Sequence, residues 1–351
     1  MGSRVLLHGL WAMGAVAALT ARPAAQQRIE ERVTVSRVLV DARVMDGRGQ
    51  PVLNLSADDF MVEFDGRPAR VEWSQWIGAD GAEPSSGVPE TLAPARIPGQ
   101  PSGRLIVFLF QKDLMPSRGE GMIRVMRDAS QYAERLGPGD RAAVVVYEHS
   151  LRVWQDFTSD RNRLRRVLGG GIFSQPPSLE RAPDVSLLAA LEKGAGPKPY
   201  SPELALLALG DALGRIEGAK SLVLFGYGFG ELKVPFGEPA DSYAVQNADY
   251  DRARQALIAS RTTVFALDIT QADHHSLETG LMAVADETGG FYASTFELPQ
   301  VAMNRLDAAL RGYYVLSVEK GAQGAAGTRH EIRVRVRPKG ATVLARQYYV
   351  E

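Results

Sequence analysis

Apolar residues change their spacing twice along this chain of 351 residues. From Arg32 to Val44 they alternate, with Val33 and Val35 followed by Val38, Val40, Ala42 and Val44, a period that predicts a half-buried strand. Asp46-Gly47-Arg48-Gly49 then predicts a reversal. Ser56-Ala57-Asp58-Asp59 reads as a capped helical turn, and Phe60 to Phe64 with Val71 to Trp76 as two strands around Asp65-Gly66. Together these pieces predict a small β module over residues 29–77, too small and edge-rich to stand without a neighbour. Residues 78–103 hold five prolines and five glycines with no apolar period, the composition of a linker.

The period then changes. Leu105 to Phe110 is an unbroken apolar run, LIVFLF, which predicts a strand buried on both faces at the centre of a parallel sheet. Helical and strand patterns alternate from there to residue 311, the mark of a doubly wound α/β sheet covered by helices. The helices expected are Met122 to Leu136, a brief one from a Ser159 cap to Leu168, Val185 to Leu191, one starting at Ser201-Pro202-Glu203, Asp241 to Ser260, Ser276 to Thr288, and Pro299 to Leu310. Between them lie strands at Ala142 to Tyr147, Arg152 to Phe157 as an edge, Leu222 to Phe225, Thr263 to Leu267, and Phe291 to Ser294. Residues 169–200, with three consecutive glycines and several prolines, read as a functional insertion or a mobile loop. Over residues 312–351 the two-residue period returns at Tyr313 to Val318, Ile332 to Val336 and Val343 to Val350, strands expected to pack with the N-terminal module.

In an open α/β sheet the ligand crevice lies beyond the carboxyl ends of the central strands, so Gln111, Lys112, Asp113 and the loop to Ser117 fall on the expected functional rim. Composition narrows the partner class. Apolar residues make up 45% and charged residues 23%, an ordinary globular balance. A net charge of −1 gives no field that would gather nucleic acid or an anionic membrane surface. Arg4, the apolar run Val5 to Leu19, and Ala21 or Ala25 read as an export signal over residues 1–25, with an uncleaved N-terminal anchor as the other reading. The expected location is periplasmic or extracellular. With no cysteine, disulfides, thiolate metal sites and thiol nucleophiles are excluded.

Several phrases in order carry a resemblance: Arg104 to Asp113, Pro138-Gly139-Asp140-Arg141, Phe157-Thr158-Ser159-Asp160-Arg161, and Glu287-Thr288-Gly289-Gly290. With Ala57-Asp58-Asp59-Phe60 before them and Tyr313-Tyr314 after them, the chain resembles bacterial exported proteins built on a von Willebrand factor type A (VWA) domain. The resemblance implies a protein-binding domain with a divalent-ion site at the crevice. There Asp-x-Ser-x-Ser, a threonine and a later aspartate supply oxygen ligands to Mg²⁺, and a partner's carboxylate completes the shell. In this chain those slots hold Gln111, Asp113 and Met115, then Ser201 at most, then Gly226-Tyr227-Gly228. The expectation is that no cofactor is bound. Mg²⁺ remains the alternative, on Asp113 and Ser201 as surviving ligands.

Other constellations read more weakly. Asp273-His274-His275 with Glu278 has the spacing of a transition-metal cluster, and equally of a polar loop entering a helix capped by Ser276. Gly226, Gly228 and Gly230 lack the phosphate-cradling fingerprint and read as a flexible crevice loop. Ser117, His149 and Asp268 sit near strand ends without a nucleophile elbow, so a hydrolase using this rim ranks third. Arg333, Arg335 and Arg337 alternate with apolar residues as the wet face of a strand. The sequence thus leads to an exported, non-enzymatic interaction module. Its protein partner would bind at Gln111, Lys112, Asp113, Ser117, Ser201 and Tyr227, with metal-dependent adhesion as the second reading.

Overall fold

The computed structural model describes residues 36–79, 81–82, 103–113, 115–174, 179, 181–194, 200–235, 242–320 and 327–350. The export-signal expectation and most of the linker lie outside the described residues.

In chain order the strands and helices are β1 (Ser36–Met45), β2 (Phe60–Phe64), β3 (Arg67–Ala69), β4 (Val71–Gly78), β5 (Gly81–Ala82), β6 (Leu105–Gln111), α1 (Pro116–Tyr132), β7 (Arg141–Tyr147) and β8 (Leu151–Thr158). They continue with α2 (Arg161–Leu168), α3 (Leu187–Lys193), α4 (Pro202–Gly214), β9 (Lys220–Gly226), β10 (Glu231–Lys233), β11 (Tyr243–Val245), α5 (Ala248–Ala259) and β12 (Thr262–Asp268). The last are α6 (Glu278–Thr288), β13 (Phe291–Ser294), α7 (Pro299–Leu310), β14 (Gly312–Lys320), β15 (Arg329–Val336), β16 (Thr342–Ala345) and β17 (Tyr348–Val350).

Six strands form the central sheet in the order β13-β12-β9-β6-β7-β8. All neighbours run parallel except β8, which turns back antiparallel at the edge. This is the doubly wound sheet expected from the alternation, with β6 at its middle. The uninterrupted run in β6 has a simple cause: Ile106, Phe108 and Phe110 enter one core with α1, α2 and α7, whereas Leu105, Val107 and Leu109 enter the other with α3 to α6. All six are at most 2% exposed. At ~1.5–3 kcal/mol for each buried side chain, the strand contributes roughly 10 kcal/mol or more in gross hydrophobic free energy.

The segments toward the two ends of the chain build two further sheets. One antiparallel sheet has the order β16-β1-β14-β4-β5 and a second has β17-β15-β2-β3. Val40, Ala42, Val44, Phe60, Val62, Tyr314, Leu316 and Ile332 fill the space between them as a sandwich core. The β1–β14 register, Val40 opposite Leu316 and Ala42 opposite Tyr314, joins positions more than 270 residues apart.

The sandwich is tied to the amino-terminal ends of the parallel strands by buried charge. Arg43, 3% exposed, donates to Ala309 O at 3.1 Å, Thr263 Oγ1 at 2.9 Å and Ser221 Oγ at 2.9 Å, and lies over the Phe265 and Tyr313 rings. Arg261 pairs with Asp41 beside it. In the phrase Pro138-Gly139-Asp140-Arg141, Asp140 is fully buried and accepts from Arg104 N and Nε, both at 2.9 Å, and from Gly137 N at 2.6 Å.

Four local expectations are corrected. The helix expected over 241–260 is the short strand β11 followed by α5, because Asn247 caps the helix at Tyr250 N and residues 243–245 pair with β10. Asp160, not Ser159, caps α2. Ser276 caps nothing: its hydroxyl donates to Ser242 O at 2.7 Å. Val343 to Val350 is two strands in two different sheets.

Candidate functional site

The carboxyl ends of β6, β7, β9 and β12 open onto the rim that the sequence singled out. Gln111 ends β6 and is 1% exposed. Its Oε1 accepts from Tyr227 N at 2.9 Å and Gly228 N at 3.2 Å, and its Nε2 donates to Gly228 O at 3.3 Å. The residue expected to meet a partner is therefore spent inside the protein, and its role is to hold the loop after β9. Gly226 belongs to the same arrangement, because a Cβ there would stand 2.4 Å from Gln111 Oε1. One amide thus fills the space that carboxylates would have needed at both slots.

The loop from 226 to 230 is pinned rather than flexible. Gly228 has φ 124, and a Cβ on it would meet Leu277 O at 2.4 Å. Gly230 N donates to the buried Glu203 at 2.7 Å, and Gln246 Nε2 donates to Phe229 O at 3.1 Å.

The other expected rim residues are engaged as follows. Asp113 accepts from Met115 N at 2.9 Å and forms an ion pair with Arg118 in the first turn of α1. Burial alone would raise its carboxyl, but the Met115 N–H and the Arg118 guanidinium outweigh that and hold it below the usual range. Arg118 lies 4.1 Å from the centroid of the Tyr227 ring. Burial foremost pushes the Tyr227 phenol up to about 12, against the pull of Arg118. Lys112 pairs with Glu148 at 3.1 Å, and Ser201 caps α4 through Leu204 N at 3.2 Å. Ser117 lines a cavity of about 740 Å³ with Arg118, Thr270, His275 and Glu278.

This donor set does not suit the divalent ion that the resemblance implies. Gln111 offers no charge, Asp113 already faces a cation from its own chain, and Ser201 is committed to a helix end. Among the described residues Asp113 belongs to no group of three potential metal-ligating side chains. The hydrolase arrangement is not assembled either, because Asp268 takes His275, not His149, as its imidazole partner, at 2.6 Å.

Three features of the rim escaped the sequence reading. Arg118 is one, signalled only by its place in the helix turn after Asp113. The second is the β10–β11 hairpin, whose Leu232, Tyr243 and Val245 are 41–53% exposed. The third is the closure of Asp268 onto His275, Glu278 and Tyr292, where the Tyr292 hydroxyl lies 3.0 Å from Asp268 Oδ2 and 3.1 Å from Glu278 Oε2. Burial first, then the two carboxylates, pushes the Tyr292 phenol well up.

No protein-family model matches the sequence, and no curated protein is similar to it. Among solved structures, a von Willebrand factor type A protein from Catenulispora acidiphila is similar over 91% of this chain and 75% of its own, at 12% identity and TM-score 0.39. The human COPII-coat protein Sec24c is similar over 72% of this chain at 13% identity and TM-score 0.39, and the chain spans only 43% of it. An aerotolerance-related membrane protein of Bacteroides fragilis is similar over 59% of this chain and 98% of its own, at 13% identity and TM-score 0.36. Likeness at that level adds nothing to the site. The strand order of the molecule itself carries the fold, a doubly wound, helix-covered α/β sheet.

Proposed function

We propose that this chain is an exported, non-enzymatic interaction module that binds a protein partner at the carboxyl-end rim of its sheet, without the usual divalent ion. The observation that carries this reading is the apolar crown of the rim. Met115, Phe173, Tyr200, Leu232, Tyr243 and Val245 are each 41–77% exposed, on the β10–β11 hairpin and the segments that follow the carboxyl ends of the sheet. Large apolar side chains gathered on one surface are the composition of a protein-binding patch. Independence from the ion is supported by Arg118, which supplies a fixed positive charge where Asp113 would otherwise need a metal. Lys112, Asp113, Ser117, Ser201 and Tyr227 then stand as the polar residues of the rim, and Gln111 as the support beneath them. No helix among the described residues is long and apolar enough to cross a membrane.

A photoreactive amino acid at Tyr243, introduced in cells, tests the proposal. One specific protein should be trapped, and the added substitution Leu232→Glu should abolish the trapping. A partner captured only with added Mg²⁺, and lost in Asp113→Ala, would restore the ion-dependent reading. Ester or phosphoester hydrolysis removed by Ser117→Ala would replace it with an enzyme.

A further inference from the structure

The end of β12, one strand over from Gly226, and the turn before α6 bring together Asp268, His275 and Glu278. One ligand atom from each lies within 4.8 Å of the others. The side chains are 2%, 17% and 12% exposed, so two carboxylates share a largely dry space with the His275 imidazole, while the exposed His274 reaches Glu278 Oε1 from the solvent side at 3.2 Å. The single proton of the Tyr292 hydroxyl stands near both Asp268 Oδ2 and Glu278 Oε2 and can serve only one at a time. A second and independent observation comes from Thr270. It is 8% exposed, its Oγ1 is buried without a hydrogen-bond partner, and it lines the same cavity as His275 and Glu278. A buried hydroxyl without a partner, on the residue whose N–H donates to Asp268 Oδ1 at 2.8 Å, leaves oxygen lone pairs that a cation can take.

We infer that Asp268, His275 and Glu278, with the Thr270 hydroxyl at their side, form a binding site for a first-row divalent transition ion, Zn²⁺ foremost. The chemistry selects the class. One imidazole nitrogen with two carboxylate oxygens is a borderline donor set that Zn²⁺ accepts, whereas Mg²⁺ takes oxygen alone and keeps its waters. Bonds of ~2.0–2.2 Å about a tetrahedral ion place ligand atoms roughly 3.4 Å apart. Asp268 and His275 would separate slightly from their present 2.6 Å contact, and Glu278 would close in. Tyr292 would remain as a hydrogen-bond donor orienting the carboxylates. The site's ligand residues are none of those named for the partner, although Ser117, Leu232 and Tyr243 line the same cavity, so ion binding by the isolated chain is read apart from partner capture.

The test uses the full chain stripped with a chelator and titrated by calorimetry with ZnCl₂, MnCl₂ and MgCl₂ in turn. One Zn²⁺ per chain is expected, at least 100-fold tighter than Mg²⁺. His275→Ala should weaken Zn²⁺ at least 30-fold, and His149→Ala should leave it unchanged. Loading with Co²⁺ should give visible ligand-field bands that disappear in His275→Ala. Glu278→Gln, which keeps the side-chain shape, provides a second readout if His275→Ala disturbs folding as judged by circular dichroism. The inference is overturned if no Zn²⁺ binds below millimolar concentration, or if binding survives both His275→Ala and Glu278→Gln.

Discussion

Replacing Gln111 by methionine isolates what the buried amide does, because the side-chain volume is kept while every polar atom is removed. Two backbone N–H groups, at Tyr227 and Gly228, lose their acceptor, and Gly228 O loses a donor. A buried donor or acceptor stripped of its partner costs ~1–3 kcal/mol. Tyr227 is only part-buried, so water reaches its N–H and its share falls at the low end. Gly228 is buried and bears the fuller penalty. The bond to Gly228 O is long at 3.3 Å and adds little, so the two N–H groups set the sum at about 2–4 kcal/mol. Urea unfolding followed by tryptophan fluorescence reads it directly: with a slope near ~3 kcal/mol/M, the midpoint falls by roughly 1 M. Hydrogen exchange at the Tyr227 and Gly228 amides should accelerate together. A midpoint shift below ~0.2 M at unchanged slope would refute the reasoning, since the loop would then be held by something other than Gln111.

Three other outcomes follow from the same geometry. Burial first, with help from Arg261 and against Asp41, pushes the Lys220 ammonium down to about 7. The unfolded chain then binds more protons than the folded one between pH 7 and about 10, so stability should climb by up to ~1.4 kcal/mol per pH unit across that window. Lys220→Met should flatten the climb in denaturant titrations at pH 7 and 9, and an unchanged slope would contradict the buried ammonium. Asp140→Asn leaves Arg104 buried and unpaired, and should cost about 3–5 kcal/mol in the same unfolding assay; a loss under ~1 kcal/mol would contradict the pairing. The Asp113 carboxyl is held below its usual range, so its contribution is lost as pH falls through the carboxylate range. Arg118→Ala should raise that carboxyl, read by NMR titration, whereas a carboxyl that does not move would show that Met115 N–H alone holds it.

The sequence by itself determined the elements whose signals are local. The run at 105–110 has no polar position because both faces of β6 are covered, and that is visible without coordinates. The capping box of Ser56 with Asp59 and the left-handed Gly289 at the end of α6 are equally local, each set by hydrogen bonds or sterics within a few residues. The missing carboxylates of the ion slots were legible as plain residue identities at Gln111 and Gly226.

Only the tertiary structure decided what replaced them. That Gln111 faces inward depends on a loop 116 residues away, and no pattern near position 111 encodes it. The β11 segment read as helix because its apolar spacing fits either period; pairing with β10 settles the matter through bonds made outside the segment. Asp268, His275, Glu278 and Tyr292 lie on three elements, and Arg43 crosses from the first strand to meet Ser221 and Thr263. Such contacts depend on how layers stack, and the free energy that selects them is spread over the whole core rather than written at the residues that meet.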